Sequence, residues 1–404
     1  MNNLQLTKIG DFADVKSGKR LPKGHTLVNY QTQYPYIRLV DIEGNRISKS
    51  DMLYLEKNTH EKIARYIVND HDVCLAIVGN TIGLVFTVDK KWDGANLTEN
   101  AARLTNFKGV EPHYVFYYLR SRDGQDQIIS RTVGSAQGKL PLYNIKNMEV
   151  PLPPLSEQRA IAGILGALDD KIELNRRMNA TLESLARAVF RRWFVENEEV
   201  GNWKISQIGE IADVIDCLHS KKPERQEVGE PFLQLSNILD NGLLDVTDIY
   251  FITKEDYDFW ISRIEASPGD CVVTNVGRVG AIAQIPEGFK AALGRNMTAI
   301  RCKKEYPYPT FLIECLMSDT MRQEINNKTD SGTILDALNV KNIPLLQFVL
   351  PPHGLLQKFE EQIRPIRAKM EANLKESRTL GSLRDSLLPK LMRGEVRVKD
   401  VEKL

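Results

Sequence analysis

The groups best suited to chemistry in this 404-residue chain are cationic and amide side chains gathered in loops. "KSGKRLPKGH" carries Lys19, Arg20 and Lys23, and "HSKKPERQ" carries Lys221, Lys222 and Arg225. Such groups neutralise phosphates, the sequence-independent part of affinity for nucleic acid. Base edges are read by Arg or Lys at guanine and by Asn or Gln at adenine. Residues of those types are Arg38, Asn80 and Gln137 in the first half, and Gln234, Asn275, Arg278 and Arg295 in the second. Thr81 shares a hairpin tip with Asn80, and Lys139 and Tyr143 lie in "GSAQGKLPLYN", matched later by "DSGTILDALN". Glycine and serine in these loops leave backbone N–H groups accessible. Taken singly, each residue reads more simply as a turn former or a solvated side chain; the expectation of binding rests on the loops as groups.

No engine accompanies them. A phosphate-binding loop requires GxxxxGK[ST], and "GSAQGKL" at Gly134 is one residue short and ends in Leu140, which cannot ligate magnesium. No glycine-rich methyl-donor loop and no Asn-Pro-Pro-aromatic tetrad is present; "LPPL" and "LPPH" lack the amide. The six histidines make no HExxH or ligand pair, so no metal site is expected. The five cysteines are odd in number without CxxC spacing, and read as reduced core thiols of a cytosolic protein. No apolar run reaches the roughly 18 residues that span a bilayer, and the first residues lack a signal-peptide pattern. With 54 basic against 53 acidic residues, no global field selects a partner, and any binding face is local.

The elements that must position these loops occur twice. "KIGDFADV" at Lys8 returns as "QIGEIADV" at Gln207, and "DVCLAIVGNTIG" at Asp72 as "DCVVTNVGRVG" at Asp270. "LTENAARL" at Leu97 answers "LGRNMTAI" at Leu293, and "NIKNMEVPLPP" answers "NVKNIPLLQFVLPP". The period is near 198 residues, and internal repeats of this order set the whole fold. Each copy opens with β-branched runs broken by Gly, Asn, Asp and Pro, which read as strands and turns. One helical patch intervenes, "PHYVFYYLRSRDGQDQI" or "YPTFLIECLMSDTMRQEI", giving a mixed α/β (α+β) domain. A Pro-Pro stop follows, then a helix of about 40 residues.

The helices carry matched seams. Steps of four and three give Ile161, Leu165, Leu168, Ile172, Asn175, Leu182 and Val189 in the first. The second gives Phe359, Ile363, Ile366, Met370, Asn373, Leu380 and Leu387, each 198 residues further on. Equal length and an equally placed Asn point to an antiparallel coiled coil, since a polar seam residue fixes register at a cost in stability. Asn175 and Asn373 are placed in the N-terminal half of each helix, away from a crossing centre, and so are not expected to face one another. Two similar domains on two similar helices give a pseudo-twofold object, and double-stranded DNA, whose major groove faces one side about every 34 Å, suits it.

"VPLPPLSEQRAIAGILGALDDKIELNRRMNATLESLARAVFRRWFV" resembles the central region of type I restriction–modification specificity subunits. The "IGDFADV" and "IGEIADV" openings, the "DVCLAIVGNTIG" hairpin and the "LPKLMRGEVRV" end are similar to the same family, over nearly the whole chain. The second helix begins "HGLLQKFEEQ" in place of "SEQR" and departs from the pattern there. The resemblance implies target recognition domains at 1–152 and 199–351, each reading one half of a bipartite site. It implies spacer helices within 153–198 and 352–398 that set the gap and dock two adenine-N6 methylation subunits. Restriction subunits supply motor and nuclease, and S-adenosylmethionine, ATP and magnesium belong to those partners, with no cofactor on this chain. Two other readings stay open: a stand-alone methyltransferase or nuclease with unusual motifs, and a coiled-coil protein scaffold.

Overall fold

The computed structural model describes residues 5–48, 51–134, 138–330 and 336–398. They form two compact units, Met1–Ile172 with Thr379–Leu404, and Glu173–Arg378. These limits cut across the sequence boundaries at 152, 198 and 351, because each unit holds one half of both long helices.

In the first unit four strands, β1 (Asp14–Ser17), β2 (Val73–Ala76), β3 (Val85–Thr87) and β4 (Ala101–Thr105), form a sheet in the order β1-β4-β2-β3. All neighbours are antiparallel. β2 and β4 are buried at every residue, because both faces of the sheet are covered. Val73, Leu75, Ala102 and Leu104 face a core shared with the helix Pro112–Arg120. Cys74 and Ala101 enter a second core with Ile37, Phe86 and Trp92. The alternation follows from the two-residue period of a strand.

The second unit repeats this plan with β5 (Ala212–Asp216), β6 (Cys271–Thr274), β7 (Ile282–Gln284) and β8 (Met297–Cys302), in the order β5-β8-β6-β7. Each unit adds a three-stranded sheet, built on Pro35–Ile37 in the first and Glu230–Leu233 in the second. Each also pairs its first strand with the strand before the proline stop, Gln5–Lys8 with Glu149–Leu152 and Lys204–Gln207 with Gln347–Leu350. The duplication read from sequence is a duplication of topology.

The single helical patch expected in each copy is two helices. Ser121 ends Pro112–Arg120 and caps Arg122–Ser130, its hydroxyl accepting from the Gly124 N–H at 3.3 Å. Ser318 does the same for Asp319–Asn327 at the Met321 N–H. A serine that bonds local backbone offers the chain an alternative to continuing the helix.

The long helices, Leu155–Phe194 and His353–Met392, have 40 residues each, about 60 Å at 1.5 Å per residue. The second stays helical through Pro365 and Pro389, although each removes a backbone donor. Contacts inside both units are antiparallel: Asp169 meets Arg384 in the first, and Phe190 meets Phe359 in the second. The two seam asparagines do face one another, against the expectation. Each is the twenty-first of forty residues, at the helix centre rather than in the N-terminal half. Asn175 Nδ2 donates to the Asn373 carbonyl at 3.3 Å and to Glu376 at 2.8 Å. Asn373 Nδ2 donates to Asn179 Oδ1 at 2.9 Å, and Asn179 Nδ2 to the Met370 carbonyl at 3.0 Å. Two helices running oppositely bring equal positions together only at their midpoint, which is where these amides sit.

Away from that centre the seam merges with the domains. Ile161 and Leu165 join Leu387, Leu388, Leu391 and Met392 in the first unit's core. Phe359 and Ile363 join Phe190 and Phe194 in the second's. Leu168, Ile172, Leu182, Val189, Ile366 and Leu380 are half-buried, and Met370 is buried. Within each unit the helices pair with each other and also pack on the α/β domain, the N-terminal part of each helix on the domain that precedes it and the C-terminal part on the other copy, so the two packing modes are not alternatives.

Candidate nucleic-acid interface

One end of each four-stranded sheet collects loops that are far apart in sequence. In the first unit three segments meet there: the β2–β3 tip at Gly79–Thr81, the turn Thr98–Asn100 before β4, and the loop at Gly138–Lys139. Backbone hydrogen bonds fix them: Ile77 N–H to Asn100 O at 2.8 Å, Gly79 N–H to Gly138 O at 2.9 Å, and Leu140 N–H to Ile77 O at 2.9 Å. The basic segment after β1 joins through Gly18 N–H to Ala101 O at 3.0 Å and Lys19 N–H to Leu97 O at 2.9 Å. Only glycine fits at position 18, where a Cβ would stand 2.0 Å from the Thr98 carbonyl oxygen. The second unit builds the same end with Asn275 N–H to Asn296 O at 2.8 Å and Leu338 N–H to Asn275 O at 2.9 Å. In the second unit a close approach falls at another place, Gly294 in the position of Thr98, where a Cβ would stand 2.6 Å from the Leu233 carbonyl oxygen.

The candidate side chains separate into engaged and open groups. Arg38 lies against Asp41, Nε–Oδ2 3.1 Å and Nη2–Oδ1 2.5 Å, with Nη2 also on the Asp51 carbonyl. Asn275 is buried, donating to the Leu338 carbonyl and accepting from Thr298 at 2.9 Å. Arg278 is held by Asp240 and the Ile238 carbonyl, and Arg225 by Asp248. Lys222 donates to Gln234 at 2.6 Å and lies 4.0 Å over the Tyr250 ring. These residues shape the loops.

Exposed at the same sheet ends are Lys19, Arg20, Asn80, Thr81 and Lys139 in the first unit, and Lys221 and Arg295 in the second. Arg20 is bound through Nε to Glu99 Oε1 at 2.7 Å. Arg295 has no hydrogen-bond or ion-pair partner among the described residues. Lys23 is exposed in the basic loop, and Tyr143 is exposed on the short helix Leu142–Lys146. Gln137 lies outside the described residues.

Residue-by-residue reading missed Glu99 and Asn296. Their signal was present in the aligned "LTENAARL" and "LGRNMTAI", where acidic Glu99 and basic Arg295 hold the same place. Burial pushes the Glu99 carboxyl upward, but hydrogen bonds from Arg20, its own backbone and Thr98 outweigh it and leave the group below the usual carboxylate range. Glu99 Oε2 lies 3.5 Å from the Tyr36 hydroxyl, whose pKa is raised to about 12, by burial first.

Among the described residues, three potential metal ligands converge at Asp216, Cys217 and His219, within 4.8 Å of one another. One oxygen of the Asp216 carboxylate, Oδ2, is taken by His219 Nε2 at 2.9 Å and Arg263 Nη1 at 3.4 Å, and Oδ1 is buried without a hydrogen-bond partner among the described residues. Burial pushes the Cys217 thiol up, and Cys302 and Cys315 rise to about 12, so these cysteines are thiols at neutral pH. No helix among the described residues is long and apolar enough to cross a membrane.

Comparison with known proteins follows this geometry. Residues 1–184 match the family described as type I restriction modification DNA specificity domain. The chain is 26% identical to the type I restriction enzyme MjaVIII specificity subunit of Methanocaldococcus jannaschii, over 98% of this chain and 94% of that one. It is also 26% identical to the MjaIX specificity subunit of the same organism, over 72% and 71%. The crystal structure of the type I restriction–modification S subunit from M. genitalium superposes with a TM-score of 0.61, at 19% identity over 97% of each chain, and so shares the fold. The first 184 residues match that family description, and over nearly its whole length the chain is similar to specificity subunits of type I restriction–modification systems.

Proposed function

We propose that each unit reads one half of a bipartite double-stranded DNA target through the loop end of its four-stranded sheet. The observation that carries this reading is the double construction of one loop arrangement. Three backbone hydrogen bonds recur at both ends, Ile77 to Asn100 with Asn275 to Asn296, Leu140 to Ile77 with Leu338 to Asn275, and Gly18 to Ala101 with Cys217 to Met297, while the side chains presented differ. A shared scaffold with different donors and acceptors is what two unlike half-sites require. Lys19, Lys23, Lys139 and Lys221 serve the phosphates, and the amide and guanidinium groups serve base edges. The chain itself is non-catalytic. The long helices set the gap between half-sites and dock two methylation subunits, to which restriction subunits add. S-adenosylmethionine, ATP and magnesium act in those partners, and flipping of the target adenine is their step.

Mapping methylated adenines in cells that express the chain with its methylation subunits tests the reading. A bipartite motif is expected, and replacing residues 1–152 by those of a relative changes one half of it alone. A change in both halves would contradict it.

A further inference from the structure

The turn before β4 and its counterpart before β8 present opposite charges from one place in the fold. Glu99 stands two residues after Leu97, and Arg295 two residues after Leu293. In each copy the next residue accepts the backbone bond from the hairpin tip, Asn100 from Ile77 and Asn296 from Asn275. Asn296 adopts φ 67°, a left-handed conformation that asparagine tolerates. Arg295, the residue before it, is exposed and lines a cleft of about 250 Å³ with Lys222, Gln234, Ser236 and Trp260.

In the first unit the guanidinium at this place comes from another segment. Arg20 extends from the basic loop with its side chain 80% exposed, and Glu99 holds it by Nε alone. Nη1 and Nη2 have no partner among the described residues. Glu99 is fixed in turn by Thr98 Oγ1 at 3.2 Å and Tyr36 OH at 3.5 Å. Anchoring Nε aims the terminal fork outward and removes rotamer freedom before any ligand arrives. A planar fork with two parallel donors matches guanine O6 and N7.

We infer that both units read a guanine with an arginine delivered to the same place by different routes, Arg295 from the turn itself and Arg20 from the basic loop. This rests on the DNA-reading function proposed above. Glu99 is a positioning residue, acting through Arg20, and it makes the first unit the more discriminating reader.

The test uses the chain assembled with its methylation subunits, on duplex libraries varied at every position of the target. Arg20→Lys and Arg295→Lys keep the charge and lose the fork. Each is expected to lose roughly 5- to 150-fold discrimination at one G·C pair of its own half-site, with the other half-site unchanged. The intact half-site also reports that the variant is folded. Glu99→Ala should lower discrimination at the Arg20 position only, and add nothing to Arg20→Lys.

Two results would overturn the inference: additive effects of Glu99→Ala and Arg20→Lys, or unaltered base preference in the lysine variants with weaker, less salt-dependent binding in Arg20→Ala and Arg295→Ala. The second pattern marks a phosphate contact. A wild-type assembly with no bipartite target would sink the proposed function itself, whereas a bipartite target indifferent to these variants would sink only the arginine assignment.

Discussion

Where the long helices meet the α/β domains, the two units solve one problem with opposite charges. The first unit buries Asp169, which accepts from Tyr117 at 2.9 Å, Asn45 at 3.0 Å and Arg120 at 3.3 Å, and meets Arg384 at 2.5 Å. The second places Arg367 at the repeat-equivalent position, 198 residues on, and buries it against Glu314 at 2.8 Å and the Gly242 carbonyl at 2.9 Å. Tyr117 and Glu314 hold matching places on the helices Pro112–Arg120 and Pro309–Met317. Of the partners of the Asp169 carboxylate, Tyr117 is buried, while Asn45, Arg120 and Arg384 keep some access to water. Arg367 and Glu314 are both almost fully buried, and Arg367 Nε has no partner. A buried charge tolerates removal of its partner badly, so the second arrangement is the more brittle.

The largest expected effect tests that contrast. Arg367→Ala leaves Glu314 uncompensated in the core and costs about 3–5 kcal/mol, while the double change Glu314→Leu with Arg367→Met is neutral or stabilising. Asp169→Ala leaves arginines that can rehydrate, and costs about 1.5–3 kcal/mol. Denaturant unfolding of each variant checks the order; equal losses would remove the asymmetry.

The apolar ends differ as well. The second unit packs Phe190, Phe194, Phe311 and Phe359 with centroids 4.9–6.4 Å apart, Phe190 and Phe311 stacked and the other pairs edge to face. The first uses Ile161, Leu388, Met392 and Tyr114 in the corresponding places. Phe359→Ala should cost about 3–5 kcal/mol and Ile161→Ala about 2–4 kcal/mol, since the lost area and the cavity both scale with side-chain size. Amide hydrogen exchange, read separately over residues 5–172 and 173–378, shows whether each loss stays in its own unit.

Smaller again is the central amide set. Asn373→Leu strips Asn179 Oδ1 of its donor and leaves it buried, a cost of about 1–3 kcal/mol. A more stable Asn373→Leu protein by thermal unfolding would show that the amide set is not structurally required.

The smallest effect is electrostatic and belongs to the first unit. Arg393 donates to Asp123 at 3.1 Å and holds its carboxyl below the ordinary 3.8. A carboxyl whose folded pKa is depressed contributes stability above its unfolded value and loses it as pH falls through the folded one. The stability difference between wild type and Arg393→Ala should therefore be present at neutral pH and vanish below 3.8. Because the pair is largely exposed, added salt should shrink it. A difference that persisted unchanged in acid would remove the ion pair as its cause.

Much of the architecture was legible because it is periodic. The 198-residue repeat, the strand runs and the seam positions from Ile161 to Leu387 are patterns that each element must satisfy locally. The candidate interface was legible only as loops. Gly18 and Gly294 gave no local sign that each passes a carbonyl too closely for a Cβ. Arg38, Asn275 and Arg278 read like base contacts, yet each is spent on a neighbour that only folding supplies: Asp41, Leu338 and Asp240.

The sequence by itself determined the two copies, the two helices and the chemical types on offer at the loops, since composition and spacing are sufficient for these. Tertiary structure decided which donors stay free. A guanidinium's availability depends on whether a carboxylate lies within about 3 Å of it, as Glu99 does for one nitrogen of Arg20 and no described residue does for Arg295. It also decided that Asn175 and Asn373 meet, because antiparallel packing brings equal positions together only at the helix midpoints.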